Sequence, residues 1–135
     1  MIGGALSGVK MIVTQARQLW LASALLRSRY AGPGLRDAAD HGYRFLRDVM
    51  WDKANGGFYW QVDVTGKQVM RGQKHLYGQA FAIYAIAEYA MATGDKDALA
   101  FALDAFRLID ARAHDGVHGG YREYFAADWS AAPAG

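Results

Sequence analysis

No cysteine occurs among the 135 residues. That excludes disulfides, thiol nucleophiles and thiolate metal sites, and it suits a cytoplasmic protein. No basic tract occurs either. Acidic and basic residues are mixed along the chain and the formal net charge is +2, which gives nucleic acid no electrostatic footprint. No uninterrupted apolar run is long enough to span a bilayer, so no membrane partner is expected. The opening MIGGALSGVKMIV lacks the positive n-region of a signal peptide. Residues 1–9 are expected to form a flexible leader and 130–135 a tail. What the chain does have is apolar residues, 53% of the total. That is enough for a real core, in a length that fits one domain.

The apolar residues fall into helices of two kinds. Segment 35–50 sets Leu35, Ala38, Gly42, Phe45, Leu46 and Val49 at helical spacing, with Asp37, Asp40, Arg44, Arg47 and Asp48 on much of the other face. Segment 96–113 repeats that design with Leu99, Ala102, Leu103, Phe106, Ile109 and Ala113. Both predict amphipathic helices with one wet face. Segments 11–30 and 75–92 are apolar nearly all the way round, which predicts helices buried on all sides. AGPG at 31–34 and TGD at 93–95 interrupt the series. Gly94 suits a left-handed position after a helix, and Asp95 suits the cap of the next one. Asn55-Gly56-Gly57 reads as a turn, FYWQVDV as a strand and TGK as a second turn. HDGVHGGYREYF, after the fourth helix, has the same shape.

These pieces repeat. Lys10 and Gln15-Ala16 recur as Lys74 and Gln79-Ala80, 64 residues on, and Gly56-Gly57-Phe58 recurs as Gly119-Gly120-Tyr121, 63 residues on. Repeat 1 spans about 10–73 and repeat 2 about 74–129, together a single domain over 10–129. Two matched units predict a repeat array, with the apolar helices as an inner layer and the amphipathic ones as an outer layer. That is the organisation of an α/α toroid, an all-α fold with short β-hairpins whose inner helices surround a central pocket. Polar residues near the inner-helix N-termini, Gln15 with Arg17 in one copy and Gln79 in the other, then fall at the pocket mouth. A helix N-terminus favours electron-rich ligand groups.

VTQARQLW, the GGFYWQVD hairpin, KHLYGQAFAIYAIAEYAMATGD and HGGYREYFAADWS resemble, in that order and spacing, the N-acylglucosamine 2-epimerase superfamily. That superfamily includes cellobiose 2-epimerases and mannose-type aldose–ketose isomerases. The resemblance runs from about Lys10 to Trp129. It implies about one third of an (α/α)6 barrel of twelve helices, a small carbohydrate as partner, isomerase chemistry and no cofactor. It further implies that Arg17 binds sugar oxygens at the reacting end, as the catalytic residue of this segment. Tyr77 would contact substrate, Gln79 stands where relatives carry Gln or His, and Asp128 and Trp129 lie in a loop beside the pocket. The general acid/base histidines of the superfamily lie beyond the matched region, so a chain of this extent is expected to be inactive alone.

Epimerisation at C2 removes a weakly acidic proton beside an aldehyde. It needs a base on one face, an acid on the other, and stabilisation of the enolate oxygen. A guanidinium supplies that stabilisation, and histidine suits proton transfer near neutrality. None of His41, His75, His114 and His118 resembles the superfamily's catalytic pair in local sequence. His114 and His118 have metal-ligand spacing, but Gly116 and Gly119-Gly120 break a helix there and no carboxylate motif completes a set. No metal site is expected. Trp51, Tyr59 and Trp60 suit either sugar stacking or hairpin packing. An open array leaves inner helices exposed, and exposed apolar faces seek partners. A homo-oligomer is therefore expected, with three chains able to supply twelve helices or a dimer able to bury the same faces. The competing reading is a non-catalytic module that self-associates through its inner helices.

Overall fold

The computed structural model describes residues 8–131. Most of the expected leader and tail lie outside the described residues. Four α-helices carry the described residues: α1 (Ile12–Leu26), α2 (Leu35–Phe45), α3 (Leu76–Thr93) and α4 (Lys96–Ala113). α1 and α3 pack side by side, α2 backs α1, and α4 backs α3. The expected alternation of inner and outer helices is therefore realised. α1 buries Ile12, Ala16, Leu19 and Ser23, a stripe at helical spacing. α3 brings small residues to the junction: a Cβ on Gly78 would lie 2.8 Å from Ile12 Cγ2. Between α3 and α4, Gly94 sits at φ 74° and the Asp95 carboxylate accepts from the Ala98 N–H at 3.0 Å. Both are the roles their sequence positions suggest.

Two expectations are corrected. The inner helices are not buried on all sides: Trp20 and Leu21 on α1, and Tyr77, Tyr84 and Met91 on α3, are exposed. A helix with one neighbour beside it and one behind it keeps a further side open. α4 also packs by a face rotated from the expected one: Ala102, Ile109 and Ala113 are buried as expected, and Ala98 and Ala105 with them, but Leu99, Leu103 and Phe106 face solvent. The 35–50 helix is α-helical only to Phe45 and closes in a π turn, Leu46–Met50, with the Trp51 N–H donating to the Leu46 carbonyl at 3.0 Å.

Short strands tie each inner helix to the hairpin of its own repeat. β1 (Val9–Met11), β2 (Gln61–Asp63) and β3 (Val69–Arg71) form an antiparallel sheet in that order, and β4 (Lys74–His75) pairs with β5 (Tyr124–Phe125). Lys10 lies opposite Val62, and Lys74 lies opposite Phe125. The sequence repeat is thus also a repeat of register. Of the expected strand FYWQVDV, only Gln61–Asp63 joins the sheet, and Phe58 instead bridges back to Trp51. Among the described residues no helix is long and apolar enough to cross a membrane.

Candidate functional site

The open side of α1 and α3 carries the polar and aromatic groups. On α1, Arg17, Trp20 and Leu21 lie at helical i, i+3, i+4 spacing and so share one face. On α3, Tyr77, Phe81 and Tyr84 do the same. Together Arg17, Trp20, Leu21, Phe81 and Tyr84 line a groove of about 470 Å³. The Arg17 guanidinium lies 5.3 Å from the centre of the Phe81 ring. Trp20 stacks on Tyr84 at 6.3 Å with 22° between the rings. Tyr77 meets the same Phe81 edge-on at 4.8 Å. Arg17 and Tyr77 therefore share one aromatic neighbour, and the groove offers an exposed cation beside flat apolar surfaces.

A second groove of about 710 Å³ adjoins Tyr77 and is lined also by Trp60, His75, Leu76, Ala80, Glu123 and Tyr124. His75 stacks on Trp60 at 4.2 Å and meets Tyr124 edge-on at 4.8 Å. Burial pulls its pKa below the ordinary value, against a smaller opposing pull from the Glu123 charge. The Glu123 carboxylate accepts from the Tyr77 N–H at 3.1 Å, occupying one of the free donors at the start of α3.

Gln79 and Trp129 sit elsewhere, in a clasp that holds the Asn55-Gly56-Gly57-Phe58 hairpin against α3. Gln79 is 1% exposed. Its Oε1 accepts from the Phe58 N–H at 2.7 Å and its Nε2 donates to the Phe58 carbonyl at 2.8 Å. Both ends of the amide are thereby satisfied by one residue's backbone. Lys74 is fully buried and its Nζ lies 2.9 Å from the Asp52 carboxylate. Lys74 also donates to the Ala127 carbonyl and lies over the rings of Tyr59 and Trp129. Burial works to raise the pKa of Asp52. Hydrogen bonds from Lys74 and Asn55, together with the Lys74 charge, outweigh it and hold the carboxyl at about 2. The Trp129 Nε1–H donates to the Gly56 carbonyl at 2.9 Å. Its ring fills the place of a side chain at Gly57, where a Cβ would come within 2.4 Å of it.

Of the other expected site residues, Gln15 is half-buried on α1, and Asp128 is exposed and accepts from the Ser130 N–H at 3.0 Å. Trp51 is packed edge-on against Phe58 and Phe101, while Trp60 reaches the second groove. Sequence reasoning missed Trp20, Phe81 and Tyr84, although their helical spacing from Arg17 and Tyr77 marks them. It also missed Asp52, whose recurrence as Asp115 at the hairpin offset was the available signal. His118 Nδ1 lies 3.4 Å from Asp115, and among the described residues no group of three or more potential ligands is arranged to hold a metal ion.

Comparison with known proteins agrees with this layout. Residues 4–134 match the N-acylglucosamine 2-epimerase family. A cellobiose 2-epimerase of Dictyoglomus turgidum is 39% identical over 121 residues, covering 90% of this chain and 30% of that protein. One from Ruminococcus albus is 39% identical over 120 residues, covering 89% of this chain and 30% of the relative. The solved cellobiose 2-epimerase of Spirochaeta thermophila superposes with a TM-score of 0.88 at 40% identity, covering 97% of this chain and 33% of that structure. The chain spans about a third of the length of the relatives it matches, and its four helices form about a third of an (α/α)6 barrel. By sequence, by fold and by the extent of both matches, the chain belongs to the N-acylglucosamine 2-epimerase family.

Proposed function

We propose that this chain supplies the sugar-oxygen-binding third of a cytoplasmic sugar 2-epimerase, with Arg17 as its catalytic residue. The observation that carries the proposal is the Arg17 guanidinium held over Phe81 in an open groove floored by aromatic rings. Flat rings suit the apolar face of a sugar. A guanidinium beside them suits the oxygen that gains charge when the C2 proton leaves. Tyr77 extends the same surface. Gln15 lies near the start of α1, Asp128 borders the loop beside Lys74, and Gln79 and Trp129 act through the hairpin they clasp rather than through sugar contact.

Proton transfer needs more than this groove holds. Its lining of Arg17, Trp20, Leu21, Phe81 and Tyr84 includes no histidine or carboxylate. His41 lies on α2 and His114 and His118 lie about the second hairpin. His75 is sandwiched between aromatic rings in the neighbouring groove. The 135-residue chain therefore binds sugar without turning it over. The test is exchange of the C2 proton of cellobiose and mannose in D2O, run beside sugar titrations followed by NMR. The expected result is no exchange above background, with weak binding that Arg17→Ala reduces at least tenfold, roughly the loss of one charged hydrogen bond. Exchange by the purified chain would overturn its inactivity. Binding indifferent to Arg17→Ala would overturn the site.

The exposed Trp20, Leu21, Tyr84 and Met91 of the inner helices favour a second reading, in which the chain is a non-catalytic module that self-associates through those helices. A homo-oligomer is compatible with both readings, because covering these faces and surrounding the groove are satisfied together.

A further inference from the structure

α3 starts between two buried anchors. Lys74, just before the helix, is fully buried, and Gln79, just inside it, is 1% exposed. The Lys74 ammonium meets the Asp52 carboxylate of the first hairpin at 2.9 Å and donates to the Ala127 carbonyl in the loop after β5. The ring centres of Tyr59 and Trp129 lie 5.4 and 5.7 Å from it. The Gln79 amide holds both backbone groups of Phe58. His75 and Tyr77 lie between the anchors in sequence, and both line the second groove.

The backbone fixes this segment only lightly. β4 is two residues long, with Lys74 opposite Phe125 and His75 opposite Tyr124. Beyond it, the Leu76 N–H donates to the Glu123 carbonyl at 2.9 Å and the Tyr77 N–H to the Glu123 carboxylate at 3.1 Å. So short a ladder specifies its register weakly, and a slip of one residue turns every side chain to the opposite face. Such a slip would carry His75 into the clasp and Lys74 out to the groove.

Stability alone is a poor reason for a buried ion pair here. Desolvation offsets much of the attraction between two buried charges, and apolar residues of similar volume commonly hold a fold as well or better. What the pair does supply is selectivity among alignments. One register brings the ammonium to a carboxylate, a carbonyl and two ring faces together, and any other strands both charges.

We propose that the Lys74–Asp52 pair is a positioning device, which fixes the register at the start of α3 and so presents Tyr77 beside Phe81 for sugar. This rests on the sugar-binding reading above and adds two residues that act through Tyr77 without touching sugar themselves.

The test removes both charges together. Asp52→Asn keeps an oxygen for the Ala54 and Asn55 N–H groups, which the Asp52 carboxylate now accepts at 3.0 and 3.1 Å. Lys74→Met keeps most of the side-chain length, and the half-exposed Ala127 carbonyl is left to water. Wild type, Asp52→Asn and the double variant are compared. Urea unfolding is expected to place Asp52→Asn below the wild type and the double variant back near it, because no charge is left stranded. Sugar affinity is expected not to recover with stability, and to stay about fivefold or more below the wild type, the effect of one misplaced polar contact.

A readout without sugar decides the geometry separately. The His75 imidazole stacks on the Trp60 ring at 4.2 Å and 28°, which shields its ring protons in NMR spectra. The double variant is expected to lose that shielding while the interior of α3 keeps its amide protection. His75 shifts that stay at their wild-type positions, or an affinity that recovers together with stability, overturn the proposal and leave the pair a purely structural tie. A wild type that binds no sugar overturns the sugar-binding reading instead, and the His75 shifts still decide the register. If the double variant does not fold, Lys74→Gln, which keeps a donor for Asp52 and Ala127 and removes only the charge, is read by the same resonances with the same two outcomes.

Discussion

Asp52 shows how one carboxylate organises a junction. It is 2% exposed and makes an ion pair with a lysine that is itself fully buried. Two charges in such a place are costly unless each is paired and hydrogen-bonded, and here both are. The remaining Asp52 oxygen capacity is taken by the Ala54 and Asn55 N–H groups and the Asn55 side chain. Removing one partner strands the other, so Asp52→Asn is expected to cost about 3 kcal/mol at neutral pH. The pH dependence has a definite sign. A carboxyl held at about 2 in the folded chain contributes stability that is fully present above the unfolded value near 4 and is lost as pH falls toward 2. The loss amounts to about 2 kcal/mol over that window. Urea unfolding at stepped pH measures it. Wild type is expected to weaken steeply below pH 4, and Asp52→Asn to show a shallower acid limb. Equal acid limbs would mean that Lys74 does not hold Asp52 as its geometry indicates.

At the level of elements, α3 is the pivot, because it meets α1, α4 and the first hairpin at once. Gly78 lets it approach α1. Alanine there gains about 1 kcal/mol in helix propensity, but its Cβ would lie 2.8 Å from Ile12 Cγ2 and 3.3 Å from Trp60. Overpacking of this kind costs typically 1–3 kcal/mol. Ile12 is fully buried and has little room to yield, so the clash is expected to win. Gly78→Ala should lower the denaturation midpoint, whereas Gly116→Ala, with nothing within 4 Å of the added atom, should leave it nearly unchanged. Thermal melts of the two variants decide between steric and propensity control. The helices themselves were legible from apolar periodicity and the Gly-Asp junction, because those signals are local. The clasp was only half legible. The recurrence of Lys just before, and Gln just inside, each inner helix marked Lys74 and Gln79 as special, but nothing local says that their partners are Asp52 and Phe58. Those contacts close across some twenty residues of hairpin and exist only once α3 is docked. Arg17 and Tyr77 stood out individually, whereas their sharing of Phe81 depends on the spacing of α1 and α3.

For the whole molecule, exposure separates two kinds of apolar surface. Trp20, Phe81 and Tyr84 line, with Arg17, the groove proposed above to bind sugar. Leu99, Leu103 and Phe106 lie along α4, and Phe106 leads into the groove that ends at Tyr121. The one charged residue lining that groove, Asp110, accepts from the Tyr121 hydroxyl at 2.6 Å, and the rest of the lining is apolar. Large exposed apolar patches mark association surfaces, and a chain stabilised by association gains stability with its own concentration. The apparent melting temperature is therefore expected to rise as the chain is concentrated. Each tenfold increase favours the associated state by about 1.4 kcal/mol per contact formed, so the trend is measurable over two decades. Leu103→Ser removes apolar area only at the contact. It is expected to abolish the concentration dependence while matching the wild type at the highest dilution, since position 103 is already exposed in the single chain. A wild-type melting temperature independent of concentration would mean that the α4 patch stays wet. A Leu103→Ser melt lowered equally at every concentration would instead place Leu103 in the packing of a single copy.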